Sequence, residues 1–172
     1  MDANLRRDTI LEIIGQYDAP VSASSLAKRL NVSRQVIVGD IALLRAQGHE
    51  IIATARGYMI SKLRESNQHI GKIACCHSPE DTKDELYTMV DLGAVVLDVW
   101  VEHELYGDIT GQLNLKSRED VDVFISRVKS LKIKLLSELT MGVHLHTITC
   151  RDKTHFEQVS QALDKLGYLY KS

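Results

Sequence analysis

His144 and His146 stand one residue apart in GVHLHTI. In a strand such an H-x-H pair points both imidazoles to one face, because side chains alternate with period two. That spacing can offer two nitrogens to one metal ion. His77 ends another apolar run, KIACCH, and alternation puts Ile73, Cys75 and His77 on a common face. Eight residues on, Glu85 borders the stripe Leu86, Met89 and Val90 of a predicted helix. A carboxylate turned toward a core needs a partner. A cation shared by His77, Glu85, His144 and His146 would supply one. In VVLDVWVEH, His103 shares a face with Val95, Leu97, Val99 and Val101, so it too is expected to point inward. Cys75 and Cys150 share faces with these residues; each is a thiolate ligand or, more commonly, a small buried hydrophobe. His49, His69 and His155 are read as surface. The set could activate water, but H-E-x-x-H, G-x-S-x-G and glycine-rich phosphate loops do not occur, so a catalytic role has no support.

A second chemistry sits near the other end. Ser33, Arg34 and Gln35 open a helix and lie off its apolar stripe Ile37, Ile41 and Leu44. Arg can pair bidentately with guanine and Gln with adenine, and Ser suits phosphates. Arg56 and Tyr58, flanking a predicted hairpin tip, could reach the DNA backbone or minor groove.

The elements that must position these residues follow from periodicity. Helices are predicted over Asn4–Tyr17, Ala23–Leu30 and Arg34–Gln47, with Ser22 and Ser33 as N-caps and Asn31-Val32-Ser33 as a tight turn. His49–Ile60 reads as a hairpin. This is the grammar of a winged helix-turn-helix. SKLRESNQ is polar and unpatterned, and divides the chain into a DNA-binding domain at 1–61, a linker at 62–69 and a second domain at 70–172. There, strands are expected at Ile70–His77, Ala94–His103, a short Ile109–Leu115, Val143–Cys150 and Tyr168–Tyr170. Helices are expected from Pro79 to Leu92, over Arg118–Leu131 and over Asp152–Leu166. The alternation gives an α+β sandwich with helices on one face of a sheet.

Charge separates the halves. Residues 1–65 carry nine Lys and Arg against seven Asp and Glu; residues 66–172 carry twelve against sixteen. Only the first suits a polyanion. No apolar run approaches the roughly 18 residues of a membrane span, and three cysteines, two of them adjacent, argue for a reducing, cytoplasmic setting rather than a disulfide scaffold.

Taken together, SASSLAKRLNVSRQVIVGDIALLR, IACCHSPEDTKDEL, VEHELYGDI and MGVHLHTI resemble the niacin-responsive repressors of NAD biosynthesis and uptake, whose C-terminal module is the three-histidine (3H) domain. The resemblance implies a homodimer on double-stranded operator DNA, with niacin as corepressor. It also implies one divalent transition metal per chain on His77, Glu85, His144 and His146, and places His103 and Tyr106 of the H-x-x-Y-G motif at the ligand, with His103 either touching it or supporting the metal-binding side chains. Such donors suit Zn, Ni, Fe or Mn. Two other classes stay open: a metal-dependent enzyme fused to a helix-turn-helix, and a repressor for which the cation itself is the signal. Gly39, mid-way along the third helix, is unexpected, since glycine costs about 1 kcal/mol there relative to alanine.

Overall fold

The computed structural model describes residues 2–60 and 68–171. The expected linker at 62–69 lies mostly outside the described residues. The chain forms two compact units, 1–65 and 66–172, and each is α+β.

In the first unit, α1 (Ala3–Gln16), α2 (Ala23–Leu30) and α3 (Arg34–Ala46) are followed by β1 (Ile51–Thr54) and β2 (Gly57–Ile60). Each helix begins on a side-chain cap: Asp2 accepts from Asn4 N, Ser22 from Ser25 N and Ser33 from Val36 N. Asn31 takes the left-handed conformation (φ 52°) that ends α2 and turns the chain into α3. Ile10, Ile14, Leu26, Ile37, Ile41 and Leu44 close one core. The hairpin joins it through paired Val21 and Tyr58 backbones, at 2.8 and 2.9 Å. Gly57 makes that approach possible: a Cβ there would meet Val21 O at 2.3 Å.

In the second unit, β3 (His69–Cys76), β4 (Val95–His103), β5 (Gly107–Leu115) and β6 (Val143–Cys150) form an antiparallel sheet of order β3-β6-β4-β5. Helices α4 (Thr82–Asp91), α5 (Arg118–Leu131) and α6 (Lys153–Lys165) supply Leu86, Met89, Val121, Val159 and Leu163 to the core on one sheet face, against Ile73, Val96 and Ile148.

Four details depart from expectation. Val96, not Val95 or Leu97, is the buried member at the start of β4. The pairs Val96↔Ile148 and Trp100↔Leu145 set four residue steps of β4 against three of β6, a bulge that reverses the alternation part-way. Strand β5 is nine residues long and carries its own irregularity opposite Val96 and Asp98, with Asn114 at φ 52°. After Ser78 comes a 3-10 turn, Pro79–Asp81, before α4 begins at Thr82, and another, Leu136–Thr140, precedes β6. The expected final strand is reduced to a bridge between Leu169 and Cys75.

Candidate functional site

Strand β6 carries His144 and His146 on the helix-facing side, 2% and 3% exposed. The end of β3 brings His77 beside them, the ring centroids of His77 and His144 lying 4.8 Å apart. Helix α4 delivers Glu85, fully buried, into the middle. Its Oε2 lies 2.8 Å from His77 Nε2 and 3.4 Å from His146 Nε2; its Oε1 lies 3.0 Å from His144 Nε2. Only the His144 contact has hydrogen-bond geometry; His77 Nε2, His146 Nε2 and Glu85 Oε2 have no hydrogen-bond partner.

The other ring nitrogens explain the arrangement. His77 Nδ1 lies 2.8 Å from Ser78 O, His144 Nδ1 2.8 Å from Gly142 O and His146 Nδ1 2.7 Å from Asp98 O. Backbone carbonyls only accept, so each Nδ1 carries a proton and donates it. A neutral ring then turns its Nε2 lone pair toward an acceptor-only carboxylate. Lone pairs and a buried anion repel unless something positive lies among them. Protons answer this in one way. Burial opposes charge on His77 and His146, but Glu85 outweighs it and raises both above the usual imidazole value. Burial likewise pushes Glu85 up, and the imidazoles, His146 foremost, reverse it to well below the usual carboxylate range. A divalent cation answers it in another: three Nε2 donors whose far nitrogens are fixed by carbonyls, plus one carboxylate, are the donors that imidazole-binding metals take. The residues present therefore fit such an ion. Cys75 Sγ lies within 4.8 Å of Glu85 and His144 donor atoms; burial, then the charge of Glu85, pushes its thiol far up, which opposes a thiolate there in the metal-free protein. Cys150 is a core residue.

Not all the expected residues meet. His103 and Tyr106 sit at the tip of the β4–β5 hairpin. The His103 ring accepts at Nδ1 from Leu105 N and Tyr106 N, at 3.2 and 3.4 Å, and lies against the Tyr106 ring. The structure does not bring them to the cluster, contrary to the inward position expected for His103. His155, read as surface, is buried; its Nε2 donates to Leu92 O and its Nδ1 accepts from Arg151 N. On α3, Ser33, Arg34 and Gln35 are exposed, although the Ser33 hydroxyl already caps the helix. Arg56 is exposed at the hairpin turn, whereas Tyr58 is half-buried against the core. Sequence reasoning passed over Asp40. Only 4% exposed, it receives Arg6 at 2.6 and 3.2 Å and Arg7 at 3.5 Å, tying α3 to α1. Its signal was a carboxylate next to Ile41 on the apolar stripe.

Residues 6–59 match a helix-turn-helix (HTH) domain, and residues 70–172 match the 3H domain. The transcription repressor NadR of Bacillus subtilis (strain 168) is 44% identical over 173 residues, covering 99% of this chain and 96% of that protein. The probable transcription repressor NiaR of Thermotoga maritima is 40% identical over 164 residues, covering 95% and 93%. The chain belongs to the 3H-domain transcription repressors. Its first unit is thus a DNA-binding helix-turn-helix, and its task is regulation rather than catalysis. Among the described residues, no helix is long and apolar enough to cross a membrane. The 3H domain also holds a cavity of about 210 Å³ beside the cluster, bordered by Glu85, His144 and His146 and walled by α5 and the segment leading to β6. Nothing in the sequence announced it, because Ile133–Leu136 has neither helical nor strand periodicity.

Proposed function

We propose that this 3H-domain repressor is a cytoplasmic homodimer controlling genes of NAD biosynthesis or niacin uptake. Its corepressor is niacin, sensed through one divalent cation on His77, Glu85, His144 and His146. The observation that carries the reading is the meeting of three Nε2 atoms, each ring fixed through its Nδ1, on a buried carboxylate. It occurs in a chain 44% identical to a transcription repressor named NadR. The cation, when bound, supplies positive charge and a Lewis-acid position for a carboxylate or carbonyl oxygen. The protein does the rest. Ser78, Gly142 and Asp98 carbonyls hold the imidazoles in one tautomer; α4 holds Glu85; Arg34 and Gln35 at the start of α3 read base edges, while Ser33 and, on the hairpin, Arg56 and Tyr58 face the backbone. His103 and Tyr106 belong to ligand recognition only if the corepressor or a second copy of the chain reaches the hairpin tip.

Calorimetric titration of the zinc- or nickel-loaded protein with nicotinate and nicotinamide tests this. Saturable binding of one of them, abolished by chelator, is the expected result; no heat from either removes the niacin reading. The near-complete burial of the cluster favours a second reading, in which the cation itself is the signal. That reading predicts operator binding that follows metal and ignores niacin; the adjoining cavity argues for the first.

A further inference from the structure

The cavity beside the cluster has a shape and a chemistry that the cation does not explain. At about 210 Å³ it is smaller than the roughly 300–1,000 Å³ of sites for drug-sized ligands, so it suits one small ring. Phe124, Val99 and Leu136 give it apolar walls, and Glu85, His144 and His146 close one end. Exposed Lys134 stands at its rim, next to Ile133, which is 57% exposed. Gly111 keeps it open: a Cβ there would lie 3.3 Å from Leu136 Cδ1 and 3.5 Å from Val99 Cγ1.

Thr82 also lines it. It is 8% exposed, and its Oγ1 has no hydrogen-bond partner. A buried hydroxyl left unpaired keeps the full cost of leaving water without a bond to offset it. An isosteric valine would fill the same space without that cost. The hydroxyl therefore has use for a partner from outside the chain. It can donate or accept by rotating about one bond.

We propose that this cavity seats a single planar heteroaromatic ring bearing a carboxylate or carboxamide, and that the Thr82 hydroxyl donates to the ring nitrogen. The inference rests on the niacin reading above and deepens it: the acid or amide group faces the His–Glu cluster, the ring fills the apolar slot, and Thr82 tells a pyridine from a benzene. Lys134 at the rim adds attraction for an anion entering from solvent.

The test uses the full-length, metal-loaded protein, with nicotinate and benzoate as probes, and reads affinity by calorimetry and metal content by elemental analysis. Wild type should prefer nicotinate. Thr82→Val should weaken nicotinate about tenfold, leave benzoate unchanged and keep its metal. Gly111→Val should fill the slot and abolish both while the metal stays. Leu136→Phe is a second filling variant that avoids changing the strand. Nicotinate binding at wild-type affinity in Thr82→Val and both filled variants would overturn the inference while leaving the niacin reading intact. Equal loss of nicotinate and benzoate in Thr82→Val would overturn the role of the hydroxyl. Failure of nicotinate and nicotinamide to bind wild type would remove both readings together.

Discussion

Glu85 is a fully buried carboxylate facing three imidazole nitrogens, and most of what can be tested at the scale of single residues follows from it. Without metal, its charge must be met by protons on the rings. Glu85 sits well below its usual 4.5, so its contribution to stability is present above about that pH and is lost as pH falls further. His77 and His146 sit above their usual 6.5, so their contribution is complete below about that pH and fades as pH rises through the raised values. Metal-stripped protein should accordingly melt highest between about pH 4.5 and 6.5. A cation competes with the ring protons, so added zinc or nickel should stabilise more as pH rises. Melting temperatures across pH 4–8, with chelator and with metal, check both; a metal-stripped profile without that maximum contradicts the cluster. His146→Ala should lose the metal, whereas His103→Ala should retain it. Elemental analysis of the two variants separates them, and full occupancy in His146→Ala would sink the site. Period-two alternation made His144, His146 and His77 legible from sequence. It failed for His103 because alternation gives the face of a strand and not how far along it the helices extend; His103 lies on the last residue of β4, at the hairpin tip.

At the scale of elements, the sites depend on close backbone approaches and on the part-buried pair of Arg6 and Asp40. Gly142, at φ 94°, leads the chain into β6 with its carbonyl on His144 Nδ1. A Cβ there would meet His77 O at 2.5 Å. Gly142→Ala should therefore push His77 away from Glu85 and lower both metal affinity and stability, which titration with a colorimetric metal indicator and thermal unfolding would register. Gly39 on α3 is the opposite case: a Cβ would meet nothing within 4 Å, so Gly39→Ala should stabilise the first unit by up to about 1 kcal/mol. A fall in its unfolding temperature would show a constraint that the free protein does not display. Helices with clean apolar stripes and serine caps, such as Ala23–Leu30, were legible nearly to the residue. The paired irregularities of β4 and β5 were not, since a bulge conserves composition while shifting register by one. The Asp40 bridge to Arg6 was hidden for a related reason: its partners lie more than thirty residues away.

For the whole molecule, the proposed function needs two copies and two coupled ligands. A single recognition helix covers one half-site, and a two-fold dimer doubles it, placing half-sites about one DNA turn, roughly 34–36 Å, or a multiple of it apart. The acidic balance of residues 66–172 makes that part a poor neighbour for phosphates, so the DNA contact falls to the mildly basic first unit. Sedimentation at micromolar concentration should show a dimer, and a monomer with and without metal would count against the arrangement. Niacin can then act only by binding the DNA-competent form more tightly than the other. The coupling is reciprocal: whatever factor niacin adds to operator affinity, operator DNA must add to niacin affinity. The two factors can be measured separately on metal-loaded protein at one salt concentration, since phosphate contacts make DNA affinity steeply salt-dependent. Operator binding with and without niacin gives one, and niacin titration with and without operator gives the other. Equal factors above about fivefold are the expected result. A factor of one in both titrations would mean that niacin, if bound at all, is not the corepressor, and would move the signal to the cation.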